Sequence, residues 1–173
     1  VLSRVMAPST GALLDRFEPL SGRSVVDAGC GGGDVSFELA RRVGPGGRVV
    51  GLDMDEAKLA LARAEAAERG LDNLEFIAAS VLEPWPAEGA DLVHMRFLLT
   101  HVPGPEIVLG RARAALAEGG AIVVHDIDYD GQFCDPPCAA FDRAGELFVQ
   151  AAQRGGADPL IGRRLVRLLE DAG

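Results

Sequence analysis

Aromatic residues are scarce: tryptophan and tyrosine occur once each, and all aromatics together make up 5% of the chain. Cysteine is also rare. Cys30, Cys134 and Cys138 are too few for a disulfide framework in 173 residues, so a reducing, cytoplasmic setting is the expectation. Lysine occurs once, at Lys58, and no Lys/Arg cluster provides the basic footprint that nucleic acids attract; the net charge is −9. No apolar run approaches the ~20 residues of a membrane span. The opening VLSRVMAPST has neither a basic-then-apolar leader pattern nor an initiator methionine. Repeats, low-complexity tracts and linkers are missing too, so one domain over residues 1–173 is expected.

What the chain does have is alanine, leucine, valine and 22 glycines. Four of the glycines fall within five consecutive positions. In SVVDAGCGGGDVSFELA, Ser24 to Ala40, an apolar run ends in Asp27. Gly29, Gly31, Gly32 and Gly33 follow, and a helical pattern starts at Asp34. One glycine suffices for a tight turn. Several, directly behind a buried strand, clear side chains so that a ligand can touch the backbone. A dinucleotide is the first ligand class to test. The G-x-G-x-x-G pattern needs glycine or alanine at position 34 or 36, and Asp34 and Ser36 stand there. A carboxylate at that helix start also opposes a pyrophosphate. A nicotinamide-dependent oxidoreductase is therefore disfavoured.

Strand-like runs recur at SVVDAG, GRVVGLD, LEFIAAS, ADLVHMR and AIVVHDID. Helical patterns alternate with them: DVSFELARRVG, MDEAKLALARAEAAERG and PEIVLGRARAALAEGG, with CAAFDRAGELFVQAAQRG and PLIGRRLVRLLEDAG after the last strand. Such alternation predicts right-handed βαβ units, hence an α/β fold: a Rossmann-like, doubly wound, mostly parallel sheet in three α/β/α layers. Ligands bind such sheets beyond the carboxyl ends of the strands, at the switch in strand order. The glycine loop lies there.

Asp27, Gly29, Gly31 and Gly33 form D-x-G-x-G-x-G, which resembles the first motif of the class I S-adenosylmethionine-dependent methyltransferases. The resemblance covers most of the chain. It includes Asp53 at the end of the second strand and Gly119-Gly120 before the fifth. It implies S-adenosylmethionine as cofactor and S-adenosylhomocysteine as product. Asp53 would take both ribose hydroxyls, since a carboxylate accepts two hydrogen bonds at once. Met54 would lie against the adenine, with Ser80 and Val81 beside it; Ser80 stands where the family often has a longer Asp. Cys30 fills the loop by its size, its backbone toward the cofactor. Asp27 would order the loop and face the methionyl ammonium. Arg96 would meet the methionyl carboxylate or an anionic substrate, or else form a surface ion pair. The family's sheet has seven strands, and LLEDAG resembles the helix before the last two. The expectation is a sheet without them, an open edge that invites a homodimer, and a longer full-length protein.

Direct transfer to a positioned nucleophile needs no catalytic triad, and G-x-S-x-G is absent. A base is required only for a nucleophile that starts protonated. His101, His125 and Asp126 are the candidates. Strand alternation turns only one of His125 and Asp126 to the cleft, and His101 has packing as its alternative role. DIDYDG opens like an EF-hand loop, but Pro137 occupies the position of the required Glu. CDPPC lacks partners at zinc spacing, so no metal is expected, although acidic residues at strand ends also occur in magnesium-dependent catechol-type enzymes. Phe133 and Phe141 either line a substrate pocket or fill the core, and Trp85 reads as a surface-turn anchor. Residues 1–17 and 128–156, the least patterned, would carry substrate contacts. HMRF stands where nucleic-acid amino-methyltransferases have Asn/Asp-Pro-Pro-aromatic. A small-molecule acceptor is therefore expected, and no nucleic acid. A non-catalytic protein of the same fold is the remaining alternative.

Overall fold

The computed structural model describes the backbone of residues 2–173 and the side chains from Val5 onward. Five strands, β1 (Ser24–Ala28), β2 (Arg48–Asp53), β3 (Leu74–Ala78), β4 (Ala90–Arg96) and β5 (Leu116–His125), form one sheet in the order β3-β2-β1-β4-β5. Every neighbouring pair is parallel. The helices are α1 (Leu2–Leu14), α2 (Asp34–Val43), α3 (Glu56–Glu68), α4 (Pro105–Ala115), α5 (Ala139–Arg154) and α6 (Leu165–Ala172). The strand order switches between β2 and β4 on either side of β1, as a doubly wound sheet requires.

Alternate residues of each strand serve opposite faces. On one face Val25, Val49, Leu92 and Val123 pack with Leu39 and Val43 of α2 and with Leu14 of α1. Leu59 and Ala62 of α3 extend that layer against Phe37 and Phe76. On the other face Val26, Val50, Val93 and Met95 pack with Val108 and Leu109 of α4 and Leu168 of α6. Burial on both faces explains why the adjacent Val25 and Val26 of β1 are both apolar. Local signals set the helix ends. The Asp55 side chain accepts the Lys58 N–H at 3.2 Å and caps α3. Pro105 opens α4 at a position where its missing N–H costs nothing.

Four expectations need correction. The helical pattern predicted over 105–120 stops at Ala115, and β5 begins at Leu116 rather than at Ala121. Leu116 pairs with Ala90 and Ala121 with Leu92, so the intervening residues bulge out of register and Gly119 turns at φ 78°. The same strand ends at His125 instead of running through Asp128. Residues 2–14, expected to lack pattern, form a helix despite the internal Pro8. Buried Thr10 and Leu14 hold it against the sheet, and packing of that kind outweighs weak periodicity. Val1 lies outside the described residues. Trp85 is a core residue: it is 9% exposed, packs with Met95 and Ala112, and donates its indole N–H to Val81 O at 2.9 Å. Among the described residues β5 has β4 as its one strand neighbour, so the sheet stops two strands short of the family's seven.

Candidate functional site

Gly29 follows β1 directly and its N–H donates to Leu52 O on β2 at 2.7 Å; the Cys30 N–H donates to the same oxygen at 3.0 Å. The loop then crosses the carboxyl end of β2, where the Gly31 N–H donates to Asp53 Oδ2 at 2.8 Å. Two glycines are sterically required. Gly29 has φ 71°, and a Cβ there would lie 2.7 Å from the Leu98 side chain. Gly33 has φ 84°, and its Cβ would lie 2.8 Å from the Phe76 ring. The loop thus keeps its backbone close to two walls at once.

A cleft of about 870 Å³ opens beyond the strand ends. Gly29 and Gly31 of the loop line it, together with Asp53 and Met54 after β2, Ser80 and Val81 after β3, and Leu98 and His101 after β4. Seven of the residues read from sequence as cofactor contacts or bases are therefore brought together: Gly29, Gly31, Asp53, Met54, Ser80, Val81 and His101. A second hollow, about 680 Å³, lies at the amino ends of the strands beside Arg48 and Asn73, away from the glycine loop.

Asp53 Oδ1 also accepts the Asp55 N–H at 2.9 Å, so each carboxylate oxygen has one backbone donor and keeps acceptor capacity toward the cleft. Met54 is 81% exposed, an apolar side chain free at the cleft mouth. Ser80 turns its hydroxyl to the Leu82 N–H at 3.3 Å. His101 ends a short 3-10 turn from Leu99 and is exposed.

The other candidates lie elsewhere. Asp27 is 2% exposed and does not line the cleft. Its Oδ2 accepts the Ser36 hydroxyl at 2.5 Å and its Oδ1 faces His94 Nδ1 at 2.8 Å. Cys30 packs its thiol against the core beside Phe76, while its N–H is taken by Leu52. Burial, with Asp27 and Asp53 nearby, pushes that thiol far above the ordinary range, so it stays protonated and unreactive. Gly33 caps α2 behind the cleft. Arg96 lines a separate hollow of about 310 Å³ with Thr10, Asp34 and Arg41, and donates to Thr10 Oγ1 at 3.2 Å.

Neither His125 nor Asp126 lines the cofactor-sized cleft. The His125 ring lies tilted against Phe97 with centroids 5.4 Å apart, its Nδ1 buried without a partner among the described residues. Burial, aided by Arg96 and His94, lowers its pKa. Asp126 accepts the Thr100 N–H at 3.1 Å and the Ile127 N–H at 2.9 Å, and burial raises its carboxyl above the usual carboxylate range.

Phe133 is exposed and belongs to no core cluster, and Phe141 sits on α5 beside Tyr129 and Gly145 in a further hollow. In DIDYDG, Asp128 and Asp130 are both taken by Arg163, at 2.7 and 2.9 Å. Among the described residues, no three His, Cys, Asp or Glu side chains gather as a metal site, and no helix is long and apolar enough to cross a membrane.

Sequence reasoning missed several participants. Leu98 and Lys58 line the cleft. Phe97, also in its wall, has φ 53°, a conformation that costs a non-glycine residue strain and tends to occur at functional sites. His94 lies fully buried on β4 against Asp27. A histidine inside the otherwise apolar LVHM, Leu92 to Met95, is a visible signal; its partner three strands earlier in the chain is not.

The methyltransferase-domain family model matches residues 19–173. The chain belongs to that family. Membership bears out the resemblance carried by the glycine loop and Asp53. A ubiquinone biosynthesis O-methyltransferase of Stutzerimonas stutzeri is 33% identical over 147 residues, 84% of this chain and 60% of that protein. A demethylmenaquinone methyltransferase of Lactococcus lactis is 28% identical over 91% of this chain and 59% of its own length. Among solved structures, a SAM-dependent methyltransferase from Aquifex aeolicus superposes with a TM-score of 0.65 at 22% identity, over 82% of this chain and 77% of that one. The last likeness concerns the fold alone. The chain spans about half the length of the curated relatives it matches, between 41% and 60% for the methyltransferases among them.

Proposed function

We propose that the cleft holds S-adenosylmethionine and that the protein transfers its methyl group to a small-molecule acceptor by direct in-line displacement. One observation carries this reading: Asp53, a carboxylate with spare acceptor capacity, is bonded to the Gly31 N–H of a side-chain-free loop at the carboxyl end of the sheet. A diol-bearing nucleoside fits that pairing, with Asp53 accepting from both hydroxyls. Val81, Leu98 and Met54 offer apolar surface for a base, and Ser80 leaves its position short.

When bound, the cofactor supplies an electrophilic methyl group whose sulfonium departs as a neutral thioether. The protein's part is placement. Holding two reactants in line supplies up to about 7–11 kcal/mol of the barrier. His101 lines the cleft, which supports it as the base that accepts a proton from the acceptor if that nucleophile starts protonated. The acidic surface supports a small molecule rather than a nucleic acid. So do relatives named for quinone biosynthesis.

Calorimetric titration with S-adenosylhomocysteine, with NADH as control, tests the reading. Micromolar or tighter binding of the former alone is expected. Binding of neither, or of NADH, overturns it. Cofactor binding without turnover on any acceptor would identify a non-catalytic protein of this fold.

A further inference from the structure

Asp27 stands at the end of β1, two residues before the glycine loop, and Ser36 lies in the first turns of the helix that leaves it. The Ser36 hydroxyl donates to Asp27 Oδ2 at 2.5 Å, so this carboxylate ties the two ends of the loop together. Its other oxygen meets His94 on the adjacent strand β4, in register with Asp27, at 2.8 Å. A carboxylate only accepts, so the His94 Nδ1 carries the hydrogen; its Nε2 is buried with no partner among the described residues. The side chains of Asp27 and His94 are 3% and 0% exposed. Replacing a buried ionic pair with apolar side chains of similar volume is often neutral or stabilising, so stability alone does not call for this one.

We infer that His94 and Ser36 are positioning residues that hold the glycine loop through Asp27, as a clamp behind the cleft. The inference rests on the cofactor reading of the cleft. His94 sits four residues before Leu98, whose side chain lies close beside Gly29, leaving no room for a Cβ there. Fixing Asp27 to β4 therefore fixes the distance between the loop and that side chain. Asp27 has both oxygens engaged and lines no part of the cleft, so its charge acts on the protein rather than on the ligand.

Two ligands separate these roles. S-adenosylhomocysteine carries an amino-acid arm; 5′-methylthioadenosine has the adenosine half without it. If the clamp sets loop geometry, Ser36→Ala and His94→Leu weaken both ligands by the same factor, about tenfold or more, as loss of one partner to a buried charge implies. His94→Asn, whose amide N–H takes the place of Nδ1–H, restores both to within about threefold of wild type. Thermal melts separate a general loss of stability: a variant fully folded at the titration temperature binds both ligands as wild type does if only stability has changed. The inference is overturned if folded Ser36→Ala or His94→Leu binds both ligands as wild type does. It is also overturned if only S-adenosylhomocysteine is weakened, because Asp27 then faces the ammonium. Should His94→Leu not fold, Ser36→Ala and His94→Asn decide by the same ratios. Failure of the wild-type chain to bind either ligand overturns the cofactor reading itself, a result distinct from any variant's.

Discussion

Asp53 does two things with one carboxylate. Its oxygens accept the N–H groups of Gly31 and Asp55, which shapes the cleft, and their remaining lone pairs face the space where a diol would sit. Replacing it with alanine removes two charge-assisted acceptors and leaves the Gly31 N–H without its partner. The expected outcome is a ~10- to 100-fold weaker S-adenosylhomocysteine affinity by calorimetry, from about 1.5–3 kcal/mol per charged hydrogen bond. Unchanged affinity would remove Asp53 from the ligand site. Asp27 looks similar in sequence but differs in kind. Both are acidic residues at or near strand ends, yet one is buried on its neighbours and the other borders the cleft.

At the scale of elements, the β1–loop–α2 unit is the most constrained part of the protein. Gly33 begins α2 at φ 84° with the Phe76 and Phe37 rings packed against its Cα. Gly33→Ala brings both penalties together: a left-handed conformation that alanine adopts at a cost, and a Cβ inside contact distance of a buried ring. The expected loss is about 1–3 kcal/mol in urea unfolding, with weaker ligand binding in the fraction that folds. A variant as stable as wild type would show that Phe76 yields easily. Elements further along are less tightly specified. The α4–β5 junction reads as helix through Gly120, because Leu116 and Glu118 suit a helix as well as a strand. The pairing of Leu116 with Ala90 decides it for the strand.

At the scale of the whole molecule, the far end of β5 carries a pH dependence. Burial raises the Asp126 carboxyl above its ordinary value. Its ionisation therefore costs more in the folded chain than in the unfolded one. This contribution to stability is complete below the ordinary Asp value near 3.9 and is lost as pH rises through the raised one. Asp126→Asn should flatten the fall in melting temperature on that rising limb. His125 acts with the opposite sign. Burial lowers its pKa, so stability from this group is present above about 6.5 and declines as pH falls through the lowered value. Thermal melts of Asp126→Asn and wild type from mildly acidic to neutral pH check the prediction. Parallel curves would mean that Asp126 titrates normally.

Local chemistry alone determined a good deal of this protein. The βαβ alternation, the parallel sheet, the glycine loop and the acidic end of β2 were legible because each rests on short-range rules: period-two and period-3.6 patterning, glycine's access to positive φ, and capping. Gly29, Gly31 and His101 could be gathered in advance because the fold class places strand ends together, whereas Asp53, Met54, Ser80 and Val81 were pointed to by the family resemblance. Tertiary structure alone decided the rest. Nothing near Trp85 in the chain shows that it enters the core, and nothing near residues 2–14 shows what they pack on. Strand register, which is not encoded near either residue, sets His94 against Asp27, 67 positions apart, and turns that carboxylate inward. A residue's type limits the chemistry it can perform, but which neighbour it meets depends on contacts between segments far apart in the chain, and those contacts exist only once the sheet has formed.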